Sequence, residues 1–186
     1  MARWWRITES ALCRCRMVAA LALGVLFTGP GVLAAPRTPA LEYAVKAAFL
    51  LNFTRFIDWP PEAIPTDAPF TICILGDDPF GSALDQTIHG ENVNGHALVV
   101  QRTGRAVPKT CQILYVSVSE KGALPEGLEP GVLTVGEGEA FIRDGGMIAF
   151  VLDNRRVRFN INLPATRTGK LTLSSRLLAV AKAVEK

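Results

Sequence analysis

Histidine is nearly missing from this 186-residue chain, which holds only His89 and His96. Neither sits at an H-x-x-x-H spacing, and no C-x-x-C accompanies them, so the sequence offers no metal site. Two histidines in one loop-prone segment, His89–His96, also give poor material for a catalytic base. A Gly-x-Ser-x-Gly nucleophile turn is absent. The segment Gly76-Asp77-Asp78-Pro79-Phe80-Gly81 matches neither a P-loop nor a Gly-x-Gly-x-x-Gly fingerprint, so no nucleotide cofactor is implied. Internal repeats and low-complexity tracts are missing as well. These absences argue against an enzyme and against any bound cofactor.

An excess of one charge is missing from most of the chain. Its 20 Lys+Arg stand against 17 Asp+Glu, but Arg3, Arg6, Arg14 and Arg16 lie in the first 34 residues with only Glu9. The remaining 152 residues carry 16 of each sign. A neutral body lacks the electrostatic footprint that a phosphate backbone requires, which excludes nucleic acid as a partner. The basic start runs into an apolar stretch, Met17 to Phe27, broken by Gly29-Pro30-Gly31 and ended by Val32-Leu33-Ala34. That is the pattern of a secretory signal peptide, cut after Ala34 because Pro36 disfavours a cut at Ala35. Eleven apolar residues fall short of the roughly 20 that span a bilayer. The expected product is soluble, outside the cytoplasm, and free of direct membrane insertion.

Four cysteines are present, and Cys13 and Cys15 leave with the leader. In an oxidising compartment the remaining two, Cys73 and Cys111, are a candidate disulfide. Pairing requires them to be neighbours in space, so it is also a statement about topology.

A body of this size is one domain, residues 35–186, large enough to bury its own core. The periodicity predicts a helix over Leu41–Ile57, stopped by Trp59-Pro60-Pro61. A buried strand Phe70–Leu75 follows, then a helix capped by Asp78 with Pro79 at its first position, running to Ile88. Strands are expected at Ala97–Arg102, Gln112–Ser117 and Val132–Val135, with a helical or irregular piece over Glu120–Leu128 and a short helix over Glu139–Arg143. Met147–Leu152 and Arg156–Ile161 flank Asp153-Asn154-Arg155 as a hairpin. Leu171–Val184 is read as a closing helix with Leu173, Leu177, Leu178 and Ala181 on one face. Continuous apolar strands between helices imply a sheet covered on both sides. The fold class is α/β, a three-layer α/β/α sandwich around a mixed sheet of about six strands.

Three features carry functional alternatives. Gly76, Asp77 and Asp78 lie between the first strand and its helix, where α/β proteins place ligands, so they form a candidate ligand loop. The plainer reading is a tight turn at Gly76, a cap at Asp78 and a solvated Asp77. The first helix is apolar over most of its circumference, so it is either centrally buried or meets another protein; Phe49, Phe53 and the following Trp59 are its candidate partner-binding residues. Arg156 and Arg158 share one strand face opposite Val157 and Phe159. Their plain reading is a solvated outer face, and their sharper one is a seat for an acidic partner.

Ordered blocks then resemble a known family. Lys46-Ala47-Ala48-Phe49-Leu50-Leu51-Asn52-Phe53-Thr54-Arg55-Phe56-Ile57-Asp58-Trp59-Pro60 resembles the opening motif of the YfiR-like family of periplasmic proteins. Ile72 through Gly81, Cys111 through Ser117, Gly145-Gly146-Met147-Ile148, Val157 through Asn162 and Leu173 through Leu178 follow in the family's order. The resemblance implies a non-catalytic regulatory protein that binds and restrains an inner-membrane signalling protein, in the first place a diguanylate cyclase. Cyclic-di-GMP output and biofilm formation would fall as a result. It also implies that Cys73 and Cys111 pair, and it leaves room for a homodimer. A second cysteine pair found in some members is absent here, where Met147–Leu152 holds no cysteine. The alternative function is a periplasmic small-ligand-binding module.

Overall fold

The structure is a computed structural model that describes residues 39–104, 106–117 and 124–186. The expected signal peptide, including Cys13 and Cys15, and the first part of Glu120–Leu128 lie outside those residues. The chain runs α1 (Pro39–Phe56), β1 (Ile57–Asp58), a 3-10 turn (Pro61–Ala63), β2 (Phe70–Leu75), α2 (Ser82–Ile88), β3 (Asn92–Val93), β4 (His96–Thr103) and β5 (Cys111–Val116). It continues through β6 (Leu133–Glu137), α3 (Gly138–Arg143), β7 (Ile148–Asp153), β8 (Arg156–Asn162), α4 (Leu163–Thr168), β9 (Thr172–Leu173), α5 (Ser175–Val180) and β10 (Ala183–Glu185).

Among the described residues the main sheet has eight strands in the order β10-β8-β7-β6-β5-β2-β4-β3, and β1 pairs with β9 in a separate two-stranded ribbon. The pairs β4-β2, β2-β5, β5-β6 and β6-β7 are parallel. The β7–β8 hairpin and the β3–β4 hairpin are antiparallel. The mixed α/β class is therefore as the sequence implied, with eight strands where six were expected. The extra two are short edge strands, β3 and β10. Two or three residues show no alternation to read, and only their neighbours define them.

The closing helix is the larger correction. Its apolar spacing fits a helix over Leu171–Val184, yet the chain splits there into β9, α5 and β10. Ser174 caps α5, its hydroxyl accepting from the Leu177 amide, and Ala181 is already extended. Lys182 then donates its amide to the Phe159 carbonyl, and Ala183–Glu185 lie parallel to Asn160–Asn162. Open hydrogen-bonding groups at the edge of β8 win over a weak local propensity. A smaller correction concerns α2, which starts at Ser82 rather than directly after Asp78. The Asp78 carboxylate accepts from the Phe80 and Gly81 amides, so it closes the turn before the helix.

Side-chain alternation sorts the core into two clusters. Ile72, Ile74, Ile113, Tyr115, Leu133 and Val135 face α1 and α2, and Cys73, Leu75, Leu114 and Val116 face the opposite side. Helix α1 buries Lys46, Ala47, Leu50, Phe53 and Thr54, while Ala48, Asn52 and Arg55 are exposed at helical spacing. Most of its apolar surplus is thus core. Phe53 is fully buried and stacks against Phe150, with Phe159 edge-on at 5.3 Å and Phe49 packed alongside. On the opposite side α3 lays Phe141 across the sheet. A Cβ at Gly136 or Gly146 would come within 2.4 or 2.2 Å of that ring, so the two glycines are the space Phe141 occupies.

Candidate functional site

The five parallel strands end on one side, and the carboxyl ends of such strands are where α/β folds place ligands. The direction of chain progress reverses there: β2 leads to β4 on one flank, and β5 leads to β6 on the other. Side chains of the protein itself fill the crevice at β2 and β5. The Phe80 ring meets Tyr115 edge-on at 4.7 Å, and Tyr43 from α1 meets Phe80 at 5.5 Å. The Ser117 amide donates to the Leu75 carbonyl, extending the ladder past the strand ends.

Next to this aromatic stack lies a charge cluster. Lys46 is 2 % exposed, and its Nζ lies 2.7 Å from Glu42 Oε1 and 2.8 Å from Glu137 Oε1. Glu137, at the end of β6, also accepts from the Tyr43 hydroxyl at 3.0 Å and from the Tyr115 hydroxyl. The Lys46 ammonium sits 4.2 Å from the centre of the Tyr43 ring, a favourable cation–π distance. Burial by itself pulls the Lys46 pKa down, but hydrogen bonds from Glu137 and Glu42 outweigh it, and the net direction is up. Burial, followed by the Glu137 carboxylate, raises both tyrosines. Lys46 is therefore held charged and Tyr115 held neutral, the opposite of what a nucleophilic amine or a phenolate base requires. Sequence reasoning missed this cluster. Its signal was a Lys and a Glu four residues apart on a helix otherwise read as apolar.

A groove of about 350 Å3 opens beside the cluster, lined by Glu42, Lys46, Glu137, Phe150, Leu152 and Lys182 among others. Its volume lies at the small end of ligand pockets. The expected ligand loop is a separate feature. Gly76 has φ of 82°, the tight turn that glycine permits. Asp77 is exposed. Asp78 spends one oxygen on the Phe80 and Gly81 amides and the other on Arg102, whose Nε lies 2.7 Å away. Arg102 also holds Asp85 on α2 at 2.5 Å and the Gly81 carbonyl at 2.9 Å. The Asp77–Asp78 pair thus does not present two open carboxylates. Among the described residues, no three His, Cys, Asp or Glu side chains converge as metal ligands would.

The other expected site residues lie apart from one another. Phe49 and Phe53 belong to the aromatic cluster under α1. Trp59 lies edge-on to Phe70 at 4.9 Å and donates its indole N–H to the Gln112 carbonyl. Arg156 is exposed at the end of the β7–β8 hairpin, and half-buried Arg158 donates to the Val180 carbonyl. Val180 is 55 % exposed beside Arg158, whereas Leu152, 60 % exposed, pairs with Val157 on the other face of the hairpin. Cys73 and Cys111 are disulfide-bonded with Cα atoms 5.9 Å apart, inside the normal range for such a bridge.

Fold and sites together define a disulfide-braced α/β/α domain whose strand-end crevice is sealed and whose internal charges are mutually satisfied. The chain belongs to the YfiR/HmsC-like family, whose sequence model matches residues 43–182. That family is known for periplasmic regulation of cyclic-di-GMP signalling and is regulatory rather than catalytic. Comparison with curated proteins finds none that matches this chain. No helix among the described residues is long and apolar enough to cross a membrane.

Proposed function

We propose that this protein is exported by its N-terminal leader and acts as a periplasmic negative regulator. Its body, residues 35–186, binds and restrains the periplasmic segment of an inner-membrane signalling protein, in the first place a diguanylate cyclase. The observation that carries the reading is the family match over residues 43–182. The geometry supports a surface-acting protein, since its buried ionisable groups are paired with one another rather than aimed at a substrate. The partner surface in this reading is the free end of the β7–β8 hairpin. There Arg156 and Arg158 share one strand face, and Arg158 donates to the carbonyl of exposed Val180, a basic surface with an apolar neighbour suited to an acidic partner. Phe49 and Phe53 pack against Phe159 beneath the hairpin and Trp59 packs on Phe70 elsewhere, so in this reading none of the three contacts the partner.

The test is crosslinking from intact cells with tagged mature protein. Recovery of an inner-membrane protein with a periplasmic segment and a cytoplasmic cyclase domain is expected. Arg156→Glu with Arg158→Glu should lower that recovery at least tenfold while leaving unfolding unchanged. Undiminished capture by the folded double variant removes the hairpin surface from the proposal. A second reading, a small-ligand module, rests on the 350 Å3 groove beside Lys46. Native mass spectrometry of protein taken from the periplasm separates the two, because a bound small molecule supports the module and a clean apo mass opposes it.

A further inference from the structure

Next to the Cys73–Cys111 bridge, one extra residue sits between Cys111 and the regular part of its strand. Along β2 and β5 the parallel register runs Ile72 to Ile113, Cys73 to Leu114 and Ile74 to Tyr115, but Thr71 pairs with Cys111. Gln112 is therefore an extra residue, a β-bulge. Parity shows its consequence. Cys111 and Ile113 are two apart and in a regular strand share a face. Here Ile113 belongs to the cluster under α1 and Cys111 to the opposite cluster, with Cys73. In the unbulged register of the same sequence, Gln112 pairs with Thr71, and Cys111 points toward α1, away from Cys73.

The Gln112 side chain is shaped to hold that irregularity. It is 1 % exposed. Its Oε1 accepts from the Thr71 amide at 2.7 Å, the donor that the bulge takes out of the ladder. Its Nε2 donates to the Ala63 carbonyl at 2.7 Å, and its own carbonyl accepts from the Trp59 indole at 3.3 Å. Both polar ends of its side chain, its own carbonyl and the Thr71 amide are thereby paired. We propose that Gln112 is the positioning residue of the disulfide, holding Cys111 on the face of Cys73 before and after the sulfurs join. The bond forms when the two thiols give up two protons and two electrons to an oxidant such as glutathione disulfide, which leaves as two glutathione thiols.

The test is the effective concentration of the two thiols, measured on the full mature chain by equilibration with reduced and oxidised glutathione. Gln112→Met keeps the residue count and approximate size but strands the Thr71 amide. It should lower the effective concentration about tenfold or more, because the reduced strand is free to adopt the regular register. Deletion of Gln112 is the companion variant. It places Cys111 directly before Ile113, which restores alternation with Cys111 still facing Cys73, so the bridge should form. An unchanged effective concentration in Gln112→Met, within about twofold, overturns the proposal and leaves Gln112 an ordinary buried polar residue. Failure of the deletion variant to pair while remaining folded also overturns it. Should Gln112→Met not fold, Gln112→Asn supplies the same measurement with a shortened side chain, and the same outcomes apply.

Discussion

The two faces of the main sheet are built on different physics. Among the described residues, the face under α1 and α2 joins 24 buried ones into one cluster centred on the rings of Phe53, Phe150 and Phe159. The opposite face gathers six of the described residues, two of which are the bonded cysteines. On the first face helices α1 and α2 supply apolar area. On the second, the described residues supply one short helix and less apolar area, and a covalent bridge stands among them. A sheet covered on both sides need not be covered equally, and a disulfide is most useful on the poorer side.

The largest effect expected from this comparison is on the richer face. Phe53→Ala removes a fully buried ring that touches three others, and it should cost about 3–5 kcal/mol in urea unfolding. A loss below about 1 kcal/mol would mean that the aromatic cluster is not the main source of cohesion. On the poorer face, replacing both cysteines, Cys73→Ser with Cys111→Ser, opens a bridge between positions separated by 38 residues. The expected cost is about 2–4 kcal/mol. Amide exchange should quicken first near Thr71 and Cys111 and leave α1 protected. If α1 exchanges just as fast, the two faces are one cooperative unit and the contrast between them is lost.

Third in size is the charge cluster at the rim of the richer face. Lys46→Met leaves Glu42 and Glu137 without their cation and should cost about 2 kcal/mol at neutral pH. The pH profile sharpens the point. Lys46, Tyr43 and Tyr115 all have pKa values raised above their ordinary 10.5 and 10.0. The folded state then holds protons that the unfolded state releases first, so stability is full below about pH 10 and falls as pH rises beyond it. Tyr115→Phe should flatten that alkaline decline, read as the urea midpoint at pH 8 and pH 11. An unchanged slope would place the decline elsewhere. The smallest effect belongs to Arg102, whose partners Asp78 and Asp85 are solvent-accessible. Arg102→Ala should cost at most about 1 kcal/mol, less at high salt.

Much of this architecture is legible in the residues. The strands Phe70–Leu75 and Cys111–Val116 are apolar except at Thr71 and Gln112, and six buried positions in a row mark strands covered on both sides. Val157 and Phe159 alternate with Arg156 and Arg158 as the hairpin requires. The closing segment misleads because Leu173, Leu177, Leu178 and Ala181 fit helical spacing, while Leu173 in fact pairs with Ile57 across the chain. Of the functional features, the disulfide was readable from cysteine number and compartment. The Lys46–Glu137 cluster was not, since its members are 91 positions apart along the chain.

By itself the sequence determined the periodicities, the helix stops at proline, the neutral body behind a basic first 34 residues, and the ordered blocks that mark the family. These are local quantities, set by side-chain chemistry and spacing along one stretch of chain. Tertiary structure alone decided which strand edges were open to capture Ala183–Glu185, which carboxylate met Lys46, and on which face Cys111 would lie. Those outcomes depend on groups brought together from distant positions. The energy of an unpaired buried charge or amide exceeds any local preference that opposes the pairing.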